Sequence, residues 1–282
     1  MLLVIASILA SGSLLLNLNR VHGIGVNTTD FVITVKTDNT GTSSNTQFTI
    51  PTYNRSTYNY NVDCGGGGAT NLSNQTGDAT CNYATSGTYT IRINGTFPQI
   101  YFHNGGDKAK LLQINQWGDN PWTSMYASFY GCSNMDITAT DTPLLSNLTD
   151  LSYMLEGDTK LSGTNANWNW GTSTVTNMNN LFKSDANFNQ NIGEWDTAKV
   201  VNMSQMFYGA TSFNQPIGNW NTSKVTDMSY MFFGTTNFNQ NIGGWNTSNV
   251  TNMNYMLSAA NAFSTVNYDK LLLSIDKQTV QY

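Results

Sequence analysis

The sequence predicts a mixed fold: an apolar N-terminal helix, a small antiparallel β-sandwich, and then a solenoid of 25-residue units. Three observations predict it. Trp170, Trp195, Trp220 and Trp245 recur at a spacing of 25 residues. Short β-branched and aromatic runs separated by Gly, Asn, Thr and Ser clusters fill the first third of the chain, as in a sandwich. Residues 1–18 are apolar and carry no charge.

Residues 1–25 come first. A secretory signal normally opens with basic residues, yet the first basic residue here is Arg20, after the apolar run. Three readings stay open for residues 1–18: a signal peptide, a membrane anchor at the lower edge of spanning length, and a retained helix buried among copies of itself in a filament. Residues 26–97 are expected to form the sandwich. Strands are read at Phe31–Val35, Gln47–Ile50, Tyr58–Val62 and Tyr89–Ile93. Cys64 and Cys81 fall among them and are expected to pair, closing a loop that stabilises by about 3 kcal/mol. Residues 98–121 connect the sandwich to the repeats and cap them, with a strand at Leu111–Ile114 and Trp117 and Trp122 in the core.

The repeats run over 122–266. Besides the tryptophans, Val175, Val200, Val225 and Val250 stand in register, as do Met178, Met203, Met228 and Met253. Met206, Met231 and Met256 follow, then Phe182, Phe207 and Phe232, and finally Phe188, Phe213, Phe238 and Phe263. A unit of this size cannot bury its own apolar face, so units are expected to stack and share one core. Met203, Met206 and Phe207 at i, i+3, i+4 predict a short helical turn stopped at Gly209. Phe213–Ile217 is read as a short strand. One helix and one strand per unit make the solenoid leucine-rich-repeat-like. The aligned Asn189, Asn214 and Asn239 are expected to satisfy backbone groups of the next unit. Residues 267–282 carry an amphipathic helix whose Leu271, Leu272 and Ile275 cover the last unit.

Trp195-Asp-Thr-Ala-Lys-Val-Val-Asn-Met-Ser-Gln-Met-Phe-Tyr-Gly-Ala-Thr-Ser-Phe-Asn-Gln resembles the repeat of BspA-type leucine-rich-repeat surface proteins, the mycoplasma-lipoprotein-like 25-residue repeat. Gln116–Met125, Phe129–Met135 and Phe97–Lys108 are similar to that family's lead-in, and Ser86–Ile93 resembles the closing strand of PKD/immunoglobulin-like domains. Gly65–Gly68 stands where relatives often carry acidic residues. The resemblance implies a cell-surface or secreted protein associated with adhesion to host or matrix partners.

Composition agrees with an extracellular binding protein. Charged residues are 10 % and aromatic residues 12 % of the chain, a balance unlike that of disorder. A net charge of −5 without a Lys/Arg cluster excludes a nucleic-acid partner. No catalytic residue, metal site or cofactor is expected. Two histidines, no phosphate-binding Gly loop and no Ca-binding nonapeptide leave little material for any of them. Asp136, Asp141, Asp150, Glu156 and Asp158 are the densest acids, and they read as solvated turn and cap residues. Cys132 aligns with Ala210 and reads as a small buried side chain.

Ten Asn-x-Ser/Thr sequons occur, among them Asn27, Asn54, Asn71, Asn94, Asn221 and Asn246 as candidate glycosylation sites. The number is about what so Asn-, Ser- and Thr-rich a chain carries by chance. The rows Thr197/Thr222/Thr247 and Tyr208/Phe233 are expected on the exposed face. Two functions follow. One is a non-enzymatic surface adhesion module for a glycan or protein ligand, in contact with the membrane if residues 1–18 anchor it. The other is a pilus-like structural subunit that binds copies of itself.

Overall fold

The computed structural model describes residues 28–279. The apolar segment 1–18 and the Asn27 sequon lie outside the described residues. Among those described, no helix is long and apolar enough to cross a membrane.

The N-terminal third is built on one six-stranded sheet in the order β4-β3-β6-β1-β7-β8. β1 (Phe31–Lys36) is central, flanked by β6 (Thr88–Thr96) and β7 (Leu111–Gln116), and its Phe31, Ile33 and Val35 are fully buried. Its register sets Ile33 opposite Ile91 and Val35 opposite Tyr89. β3 (Asn59–Asp63) alternates outward Asn with inward Tyr60 and Val62, the period of a half-buried strand. β4 (Leu72–Gln75) pairs on its outer edge. A separate ribbon of β2 (Gln47–Ile50) and β5 (Ala79–Asn82) contributes Phe48, Ile50 and Cys81 to the same core. The Cys64–Cys81 disulfide, with Cα atoms 5.7 Å apart, joins the end of β3 to β5 and so ties the ribbon to the sheet.

The expected antiparallel sandwich is therefore corrected. The second layer is only a two-stranded ribbon. The main sheet is mixed, because β8 (Asp136–Ile137), from the start of the repeats, adds to β7 in parallel. The sheet thus continues into the repeats, and one apolar core runs from Phe31 to Leu271.

The leucine-rich-repeat-like solenoid, with a helix and a strand per unit, is also overturned. No unit contains a helix, and apart from the two-residue β8 in the first unit none contains a multi-residue strand; the single α-helix among the described residues is α1 (Thr265–Thr279). Hydrogen-bond direction supplies the reason. In the segment 203–210 alternate N–H groups leave the unit: Met203, Gln205, Phe207 and Gly209 donate to Asp227, Ser229, Met231 and Phe233 carbonyls at 2.8–3.0 Å. The intervening Met206, Tyr208 and Ala210 close tight turns onto the carbonyl three residues back. Apolar spacing of i, i+3, i+4 is thus real but arises from successive turns. Gln205 takes a left-handed φ of 56°, which no α-helix admits. Between units the contact narrows to isolated parallel bridges from Asp150 through Asn177, Asn202 and Asp227 to Asn252.

Side-chain columns hold the units together. Trp170, Trp195, Trp220, Trp245, Met203, Met206, Phe207, Phe213, Met228, Met231, Phe232 and Phe238 are all buried. Phe207 stacks on Phe182 and Phe232 with centroids 5.7 and 5.6 Å away, and on Phe213 of its own unit at 4.0 Å. The indole N–H groups of Trp195, Trp220 and Trp245 each donate to a carbonyl of the preceding unit. Asn189 and Asn214 accept from the backbone N–H one unit on, at 2.9 Å each. The row of Thr197, Thr222 and Thr247, read as exposed, is buried, as is Thr172, which precedes it in the same column. Thr172, Thr197 and Thr222 each donate a hydroxyl to the following unit's backbone, and Thr247 meets Gln278 of α1. On α1, Leu271 is buried and Ile275 packs on the core, but Leu272 is 45 % exposed, so the cover over the last unit is partial.

Candidate functional site

Two residues recur at fixed places in each tight-turn segment and line up as two columns along one face; Ala127, Asn180 and Glu156 are buried within them, and the others are partly or fully exposed. The first column is Ala127, Tyr153, Asn180, Gln205, Tyr230 and Tyr255, all at positive φ between 51° and 59°. The second, three residues further on, is Tyr130, Glu156, Lys183, Tyr208, Phe233 and Ser258. A left-handed conformation costs a non-glycine residue about 1–2 kcal/mol, yet none of the six units places glycine there.

The rings form a row in two halves. In the first, Tyr101 stacks on His103 at 5.1 Å and touches Tyr53 at 4.8 Å; Tyr126 meets Tyr153 at 5.9 Å, and Tyr130 meets it at 6.2 Å. In the second, Tyr208 stacks on Phe233 at 4.8 Å and Tyr230 on Tyr255 at 5.0 Å. A polar centre separates them. Glu156 pairs with Lys183 at 3.3 Å and accepts from Asn180 at 3.1 Å, while Lys183 lies 5.7 Å from the Tyr208 ring centre. Burial and then neighbouring phenols raise the pKa of Tyr101 and Tyr126, with Asp150 adding at Tyr126, so both stay neutral in ordinary media. A cleft lined by Thr52, Tyr53, Asn54, Asp78 and Tyr101 opens at one end of the row. At the other end Tyr255 borders an apolar groove with Leu257, Tyr268 and Leu272.

The acids divide into two groups. Asp136 accepts from Ser162 and Gly163, Asp141 from Trp117 and Gly118, and Asp150 from Ser152, all in turn-capping roles. Asp158 and Glu156 are not solvated, contrary to the reading above. Asp158 and Asp185 are fully buried, one above the other in the column that begins with Cys132 and continues to Ala210. The Asp158 N–H donates to Asp185 Oδ1 at 2.8 Å; both Asp158 carboxyl oxygens and Asp185 Oδ2 have no hydrogen-bond partner. Burial raises both pKa values far above the carboxylate range, aided by the Asp185 charge at Asp158 and the Glu156 charge at Asp185. Burial likewise raises the Cys132 thiol. Enclosed in this way, the pair cannot reach a substrate. Among the described residues, no three His, Cys, Asp or Glu side chains gather as metal ligands.

This pair predicts a pH dependence. An acid whose folded-state pKa lies above its unfolded value of about 3.9 stabilises fully below that value. The contribution is lost as pH rises through the folded-state pKa. Denaturant melts should therefore show stability falling from mild acid toward alkali. The D158N/D185N variant should be flatter and about 1–3 kcal/mol more stable in alkali; an unchanged profile would show that the pair does not titrate in the fold.

The repeats match the family described as Mycoplasma protein of unknown function, DUF285, over residues 123–217 and 165–270, more than half of the chain. The chain belongs to this family. No curated protein and no solved structure matches it. The DUF285 match begins at the units that carry the two outward columns, so most of the aromatic row lies within it. Tyr53, Tyr101 and His103 precede the DUF285 region and reach the row only through folding. In sequence, the Tyr208/Phe233 pair was visible from its register. Tyr230 and Tyr255 had the same 25-residue spacing; Tyr153, 77 residues before Tyr230, falls off it, and the three residues before the repeats had no such signal. The sequons Asn54, Asn71, Asn94, Asn221 and Asn246 are all exposed, and Asn54 lines the cleft.

Proposed function

We propose that the chain is an extracellular, non-enzymatic binding module of the cell surface, which engages its ligand through the aromatic face. The observation that carries this reading is the row itself. Half-exposed rings are presented along one side of a rigid, densely bonded repeat region, on a backbone strained at each unit. Exposed aromatics with adjacent polar groups are the usual anchors of recognition surfaces. Membership of DUF285 is consistent with a surface repeat protein, and structural disulfides are typical of chains outside a reducing cytosol.

Two measurements test the proposal. Labelling intact cells with a membrane-impermeant reagent should tag the protein. Purified protein screened on immobilised glycans and matrix proteins should retain a ligand that Y153A/Y208A/Y230A loses by about tenfold or more. Equal retention of every ligand by the variant would overturn the assignment of the face.

A further inference from the structure

We infer that the aromatic face recognises an extended, uncharged polysaccharide chain; this rests on the binding-module reading above and names its ligand class. Four features of the face narrow the chemistry.

The first is which rings line it. Apart from Phe233 and His103 the rings are tyrosines, flat and apolar on their faces and hydrogen-bonding at one edge. Neither column contains Leu, Ile, Val or Met. A lipid surface or an amphipathic helix would select those aliphatic residues. A sugar ring, with C–H groups on its faces and hydroxyls at its rim, matches tyrosine on both counts.

The second is charge. Within the columns the only charges are Glu156 and Lys183, and they neutralise one another at 3.3 Å. A polyanion, whether nucleic acid or sulfated glycan, would need unpaired cations along the row. Arg55, stacked over Tyr53 at 5.9 Å, stands at one end, with Asp78 lining the cleft beside it.

Hydrogen-bonding capacity is the third. Gln205 in the column, with Asn179 and Asn254 beside it, offers both donors and acceptors. Hydroxyls donate and accept, so they use both. The backbone of a proline-rich peptide offers acceptors alone and would leave half of these groups idle.

Shape is the fourth. The columns advance one position per repeat, so the contact surface is a line and not a pocket. A linear polymer can engage several units at once, and its affinity should grow with length. The backbone geometry supports a retained purpose for these side chains. Tyr153, Gln205, Tyr230 and Tyr255, the partly or fully exposed members of the first column, keep a left-handed φ that glycine would adopt without strain.

Affinity electrophoresis of the protein through gels containing single neutral polysaccharides (β-glucan, galactomannan, xyloglucan), with heparin and a proline-rich peptide as comparators, tests the inference. At least one neutral polysaccharide should retard the protein, equally at low and high salt, and its oligosaccharides should bind more tightly as they lengthen. Tyr230→Phe, which keeps the ring face and loses only the hydroxyl, should weaken binding less than Tyr230→Gly. Tyr153→Ala and Tyr230→Gly should each weaken binding by about 2- to 10-fold. Tyr230→Gly relieves the positive φ, so its loss cannot be assigned to unfolding. Retardation by heparin alone, abolished by salt, would overturn the inference. So would ring-dependent binding confined to the peptide or to a protein, though that result leaves the binding-module reading standing. Binding of every ligand unchanged by ring removal would sink both.

Discussion

Phe207→Ala is expected to lower stability by about 3–5 kcal/mol, enough to unfold much of the repeat region in moderate denaturant. The ring is fully buried and sits at a crossing of two columns. It stacks on Phe182 and Phe232 of the neighbouring units, on Phe213 of its own, and lies 6.2 Å from Trp220. Its removal opens a cavity that cannot collapse. The backbone on both sides is pinned by inter-unit bonds, such as Phe182 N–H to Met206 and Phe207 N–H to Met231. In a repeat array stability is largely the sum of neighbour interfaces, and a central unit carries two of them. Trp220 beside the cavity reports the transition by fluorescence. A loss below about 1 kcal/mol in urea or guanidinium melts would mean that the aromatic columns are not what couples the units.

Reduction of the Cys64–Cys81 disulfide, or its replacement by serines, is expected to cost about 3 kcal/mol, from the chain-entropy relation for a loop with a sequence separation of 17. Here the bridge has a structural task beyond loop closure. The ribbon formed by β2 and β5 is too small to stand alone. The bridge anchors it to β3 and hence to the six-stranded sheet. The other clamp on the ribbon is polar. Lys110, buried, donates to the carbonyls of Ser43, Ser44 and Gln47, and Asp107 accepts from Ser43 and Thr49 N–H groups. Thermal melts with and without reductant give the difference, and peptide mapping under non-reducing conditions should find Cys64 joined to Cys81. Cys132, buried with a raised pKa, should resist alkylation until the protein unfolds. Equal melts of the oxidised and reduced forms would show that the ribbon is held by the Lys110–Asp107 clamp alone.

Much of the molecule was legible in the chain. A spacing of 25 residues located the units, because a shared core forces each unit to return the same side chains to the same depth. Hydrophobic alternation located β1, β2, β3, β6 and β7, and amphipathic spacing located α1. Other elements left no such trace. In β4, Leu72–Gln75 has one partly buried apolar residue, and β8 is two residues long, so neither could show a period. Asp158 stands 26 residues beyond Cys132 and 27 before Asp185, and those insertions hid it from the 25-residue register; Asp185 is in register with Ala210, but an acid at a core position carried no apolar signal.

What the sequence by itself determined is the repeat, its core positions, the pairing of the two cysteines and the low charge of the surface. Side-chain burial follows directly from composition and period. Tertiary structure alone decided where each backbone N–H would go. The same i, i+3, i+4 pattern suits a helix, which satisfies its own amides, and a stack of turns, which sends every second amide to the next unit. Only the neighbouring unit, with carbonyls in reach and φ held left-handed at one residue per turn, selects the second. That choice swings Tyr153, Tyr230 and Tyr255 outward beside Tyr208 and Phe233, and brings Tyr53, Tyr101 and His103 up to meet Tyr126 and Tyr130.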